Sequence, residues 1–157
     1  METVFLRFGL AVGFLSSVAD RLGLWGPQGR HGARTVGWGD MAHFMPAVAA
    51  LNPWFPSAWI PFVGWTATIA EIVLGILLLI GFQTRWASRL SGCLLLAFAL
   101  GMTAGRGVKF VFDASVLAAC GGAFMLATAE RYAWSVDALR GVSQSHRHVP
   151  LRTKLVS

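Results

Sequence analysis

The chain has 157 residues, 55% of them hydrophobic and only 13% charged, against roughly a quarter charged in ordinary soluble domains. The apolar residues are gathered into long runs, which excludes an ordinary soluble core, and a chain of this length makes one domain. The net charge of +6 does not signal nucleic acid, because no basic stripe alternates with aromatics and no binding motif is present; anionic lipid headgroups account for a basic tail.

A bilayer core is spanned by about 20 mostly apolar residues. Four segments qualify, 4–25, 58–81, 86–105 and 110–129. In lipid their backbone polar groups must be satisfied within each segment, so all four are predicted helices. The expected fold is an all-α integral membrane protein: a four-transmembrane-helix bundle with a long outer loop between helices 1 and 2. The membrane domain covers 1–129, and an amphipathic surface helix and basic cytoplasmic tail fill 130–157.

In the first span, Ser17-Val18-Ala19 has the look of a signal-peptidase site. A secretory signal carries a basic n-region, whereas this chain starts Met1-Glu2-Thr3 with Arg7 already inside the apolar run. The segment is therefore read as a retained span. In the loop that follows, a Gly- and Arg-rich part reads as irregular, and Asp40 is placed to N-cap a short helix from Met41 to Leu51. Asn52-Pro53 then breaks the chain. Trp38, Trp54, Phe55 and Trp59 fit an aromatic belt at the membrane–water boundary. Loops this long are often lids; a plain interfacial helix is the alternative.

The turns GFQTR (81–85) and GRGVK (105–109) make spans two, three and four antiparallel neighbours. Gly9 with Gly13, and Gly101 with Gly105, have the spacing that lets helix backbones approach closely. Intramolecular packing is the simpler use of these pairs, a dimer seam the sharper one. After Thr128, the residues Tyr132, Trp134, Val136 and Leu139 suit an amphipathic surface helix. The polar, basic tail reads as disordered, and its His146 and His148 are weak metal candidates. Counting Lys and Arg near span ends puts eight on the side of the N-terminus and five opposite, which predicts both termini in the cytoplasm.

With about 1.5 Å of rise per helical residue, distance from a shared turn gives depth. Glu71, Cys93 and Cys120 fall in one layer near the midplane. Cys93 and Cys120 are candidate redox thiols, with inert packing as the alternative. An ionised residue at the centre of a span costs roughly 2.5–3.5 kcal/mol, so Glu71 is a functional candidate by default, as a proton or hydrogen-bond site. Its alternative is a protonated acid that fixes packing, with Thr66, Thr68, Ser91 and Ser115 as available partners. A second polar layer holds Asp20, Arg21 and Asp113, with Arg21–Asp113 or Asp20–Lys109 as expected ion pairs. With Thr68, these charges read as a ligand cavity leading to Glu71. Arg7 and Arg89 are expected to snorkel to headgroups.

Taken together, LRFGLAVGFLSSVADRLGLWG (6–26), TIAEIVLGILLLIGFQTRWAS (68–88) and GVKFVFDASVLAA (107–119) resemble the DoxX family of bacterial membrane proteins. The most specific element is the Glu71–Gly75–Leu78–Gly81–Arg85 spacing. The resemblance implies a four-helix bundle in the bacterial cytoplasmic (inner) membrane, associated with redox assemblies that handle sulfur, thiols, or oxidative and metal stress. On that basis the expected function is a membrane subunit of a redox assembly, an oxidoreductase subunit rather than a complete enzyme. A quinone is the candidate cofactor. The bilayer, a redox partner subunit and a second copy of the chain are the candidate partners. A small transporter and a non-catalytic anchor are the competing readings.

Overall fold

The structure, a computed structural model, describes residues 1–31, 34–130 and 132–139. The basic tail with His146 and His148 lies outside them. Three helices are long and apolar enough to cross a membrane: α1 (Glu2–Arg21), α3 (Ile60–Ile80, entered through a 3-10 turn at Ser57–Trp59) and α4 (Thr84–Arg106). The predicted fourth span is not one continuous helix. It divides into α5 (Val108–Asp113) and α6 (Val116–Thr128), with Ser115 at φ 53° between them. Alone, the 13 residues of α6 reach about 20 Å, short of the roughly 30 Å hydrocarbon layer. Hydropathy reads composition and does not see this break. Asp113 and Ser115 are residue types whose short polar side chains favour turns over helix interiors.

The helices form a ring. α1 lies on α3 and α4 on α6, the two most extensive contacts, and α3–α4 and α1–α6 close the circle. Leu10, Ala11, Phe14, Leu74, Leu78, Leu95, Ala123 and Leu126 form the shared core. Gly75 sets the α1–α3 register: a Cβ there would stand 3.0 Å from the Leu15 side chain. Outward, Phe5, Ile69, Leu100 and Met125 are 56–85% exposed, an apolar exterior suited to lipid rather than water.

At the end of the bundle that holds the α3–α4 turn, the chain after α6 folds back beneath the helices. Arg7 does not snorkel. It is 1% exposed, and its Nη2 donates to the Trp134 carbonyl (2.6 Å) and its Nη1 to that of Ala133 (3.4 Å). Nearby backbone carbonyls reach this guanidinium sooner than headgroups do. Arg89 is exposed and lies over Trp86. Asp137 accepts from the amides of Gln83 (2.9 Å) and Thr84 (2.7 Å), filling the role of an N-cap for α4. Gly81, at φ 69°, ends α3 in the left-handed turn that glycine favours. Of the segment predicted as an amphipathic helix, residues 136–139 are helical and 132–135 are not.

At the opposite end, a short hairpin missing from the sequence reading precedes α2. Its strands, β1 (Gly29–His31) and β2 (Arg34–Val36), pair antiparallel with Gly29 opposite Val36. The helix α2 (Met41–Leu51) is capped by Asp40, which accepts from the His43 amide (2.8 Å) and faces His43 Nδ1 (2.7 Å). Those two contacts hold the Asp40 carboxyl below the usual carboxylate range. Three glycines let α2 settle on the bundle. A Cβ at Gly64 would meet Met45 Sδ at 2.9 Å, one at Gly101 would lie 3.3 Å from the Leu51 carbonyl, and one at Gly105 would collide with the Ala50 carbonyl. The Gly101–Gly105 pair therefore packs α2 within the chain, while Gly9 and Gly13 are exposed and face nothing within 4 Å.

Candidate functional site

The last residue of α1 turns back into the bundle. Arg21 is 7% exposed and Glu71 1%, and they form a buried ion pair. Arg21 Nη2 donates to Glu71 Oε1 at 3.0 Å, Nη1 lies 3.0 Å from Oε2, and Nη1 also donates to Thr68 Oγ1 at 3.2 Å. Thr68 in turn donates to the Gly64 carbonyl one helical turn back (2.8 Å), which fixes its hydroxyl oxygen as an acceptor for Arg21. In hydrocarbon this geometry is what makes a buried pair tolerable, since each charge is matched and partly hydrogen-bonded.

The loop holds Arg21 from above. Asp20 accepts the backbone amides of Gly37 (3.0 Å), Trp38 (3.2 Å) and Gly39 (3.0 Å), tethering the segment that leads into α2. Trp38 then meets Phe44 edge-on at 5.5 Å, and the Phe44 ring covers the Arg21 guanidinium at 4.1 Å, a cation–π contact. Beside this stack, α2, α3 and α4 line a half-open cavity of about 350 Å³. Phe44, Val48, Leu51, Phe62, Val63, Ala67, Leu94, Phe98 and Met102 make its wall mostly apolar. Among the described residues its one charged lining residue is Arg21, with Asn52 and Thr66 as the polar side chains. Arg21 Nε is buried and has no hydrogen-bond partner among the described residues.

Of the residues singled out from the sequence, Glu71, Arg21 and Thr68 come together, with the last two on opposite sides of the α1–α3 seam. Asp20 and Asp113 do not join them. Asp20 serves the loop, and Asp113 pairs with Lys109 one turn away at 2.6 Å on the exposed surface. The expected Arg21–Asp113 and Asp20–Lys109 pairs do not form, because each charge has a nearer partner. Cys120 is buried and its thiol donates to the Gly92 carbonyl (3.3 Å), while Cys93 is exposed, and both are free thiols. Phe44 and Asn52 were not singled out from the sequence. The signal that could have found them is the set Gly64, Gly101 and Gly105, which marks where α2 docks.

Comparison with known families adds one result. The family model described as methylamine utilisation protein MauE matches residues 3–143. The chain therefore belongs to that family of membrane proteins. This overturns the resemblance to DoxX, a different membrane family. The spacing that suggested it is explained by packing. Gly75 admits α1 and Gly81 turns the chain beside Arg7, demands that antiparallel membrane helices share whatever their family. No curated protein and no solved structure matches the chain.

Proposed function

Starting from its place among the MauE membrane proteins, we propose that the chain is a membrane subunit of a redox system serving methylamine utilisation, and that its cavity holds a small apolar ligand with a hydrogen-bond-accepting oxygen. A quinone is the ligand type we favour. The observation that carries this reading is that Arg21, whose buried Nε has no hydrogen-bond partner among the described residues, lines an otherwise apolar cavity. A guanidinium has five N–H donors in a fixed fork, and a buried donor left without an acceptor costs on the order of 1–3 kcal/mol. A ligand oxygen at Nε would recover that cost. A neutral oxygen suits the site better than an anion, because Glu71 already balances the Arg21 charge.

In this reading each residue has one task. Arg21 orients the ligand by donating from Nε, and Glu71 and Thr68 hold the guanidinium still. Phe44 keeps water off the pair, and the apolar walls take the ligand's apolar body. A quinone would supply two-electron carriage between membrane and partner. Glu71, in contact with Arg21, is the group placed to hold or release a proton as that carriage proceeds.

The test is titration of a short-chain benzoquinone into bilayer-reconstituted protein, followed by calorimetry. The natural chain is expected to bind, and the charge-free Arg21→Met/Glu71→Leu double variant to bind roughly tenfold or more weakly, the worth of one hydrogen bond to a charged group. Equal affinity in the two proteins would overturn the assignment of Arg21.

A further inference from the structure

The half of the bundle between Glu71 and the α3–α4 turn contains polar groups that the ligand reading does not use. Thr84, Ser88 and Ser91 are each 0% exposed. Their spacing, i, i+4 and i+7, puts them along one face of α4. None of their hydroxyls has a hydrogen-bond partner among the described residues, and neither does Arg7 Nε. Glu71 Oε2, although within ion-pair distance of Arg21, receives no hydrogen bond.

Hydroxyls in membrane helices ordinarily satisfy themselves by donating to the carbonyl one turn back. Two threonines here do so: Thr68 to Gly64 and Thr103 to Ala99, each at 2.8 Å. The three on this face of α4 do not. A single orphaned hydroxyl is an exception; three in register, in an environment where each costs on the order of 1–3 kcal/mol, call for a common acceptor and donor.

Their heights supply the link. Thr84 opens α4 at the turn, beside the Asp137 carboxylate that caps it. At about 1.5 Å per residue, Ser88 stands about 6 Å above Thr84, Ser91 about 10 Å, and Glu71 about 15 Å above Gly81 on the neighbouring helix. Along the bundle axis these are rises of about 4–6 Å, the span of one water molecule with two hydrogen bonds. Arg7 and Asp137 lie at this lower end of the bundle.

We propose that Thr84, Ser88 and Ser91 line a file of internal waters that joins the aqueous phase at the α3–α4 turn to the Glu71 carboxylate. The file gives Glu71 proton exchange with that side of the membrane only. A proton arriving from hydronium at the mouth passes through the waters to Glu71 Oε2, one O–H bond forming there as one breaks on the last water, and leaves by the same route in reverse. Arg21 and Phe44 lie on the opposite side of Glu71. The inference does not depend on what occupies the upper cavity.

The experiment is water-edited solid-state NMR on the full chain in bilayers, which times the passage of magnetisation from mobile water to individual carbons. The Ser88 and Ser91 side-chain carbons and the Glu71 carboxyl carbon are expected to receive it at rates close to those of water-facing residues such as Asp40 and His43, while Leu78 and Leu126 lag by about fivefold or more, as dry core does. In Ser91→Val, transfer to Glu71 is expected to fall by a similar factor with Leu78 and Leu126 unchanged. Serine carbons as dry as Leu78 would overturn the proposal. So would an unchanged Glu71 rate in a folded Ser91→Val. The measurement on the natural chain decides the matter even if that variant fails to fold.

Discussion

Glu71→Leu is expected to destabilise the protein by about 3–5 kcal/mol, the usual result of removing one partner from a buried ion pair. The substitution leaves the buried Arg21 guanidinium with Thr68 and the Phe44 ring alone to meet it among the described residues. Arg21→Met/Glu71→Leu, which removes both charges, is expected to recover most of that loss, since replacing a whole buried pair by apolar residues is often neutral or stabilising. Reversible unfolding in mixed micelles reads both. A double variant as unstable as the single one would mean that the pair is not the unit that holds α1 to α3.

The second large effect is expected at Gly105. Its Cβ position is occupied by the Ala50 carbonyl and lies 2.7 Å from Leu51 Cα. These are backbone atoms and cannot rotate aside. Gly105→Leu should therefore lift the C-terminal end of α2 from α4, at about 1–3 kcal/mol for the overpacking. Because α2 supplies Phe44, Val48 and Leu51 to the cavity, quinone binding should be lost while α1, α3 and α4 remain helical. Gly9→Leu is the matched control, since nothing lies within 4 Å of it. If Gly105→Leu bound ligand as the natural chain does, α2 would not be the roof of the cavity.

Some of this was legible in the sequence because its physics is local. Length and apolar composition suffice to mark α1, α3 and α4, and an Asp before a hydrophobic run is enough for α2. Glu71 stood out because a carboxylate in a span is costly wherever it sits. The rest depends on contacts distant in sequence. Nothing local says that Arg21 turns inward to Glu71, 50 residues away, or that Arg7 reaches a carbonyl at Trp134. The break at Ser115 lies inside a run whose average hydropathy hides it. The family assignment failed for a related reason: glycine spacings along a helix report close packing, and packing is shared across families. The unpartnered hydroxyls of α4 are serines and threonines like any others until their neighbours are known.

In the proposed function, the cavity under α2 binds an apolar molecule through Arg21. The most direct test is native mass spectrometry of the protein extracted gently from its own membrane, beside an Ala97→Phe variant, which adds a ring to the α4 wall of the cavity on a helix that carries neither Arg21 nor Glu71. The expected result is a small apolar molecule of quinone type carried by the natural chain and missing from the variant. A natural chain that carries none, or a variant that carries it equally, would contradict the claim.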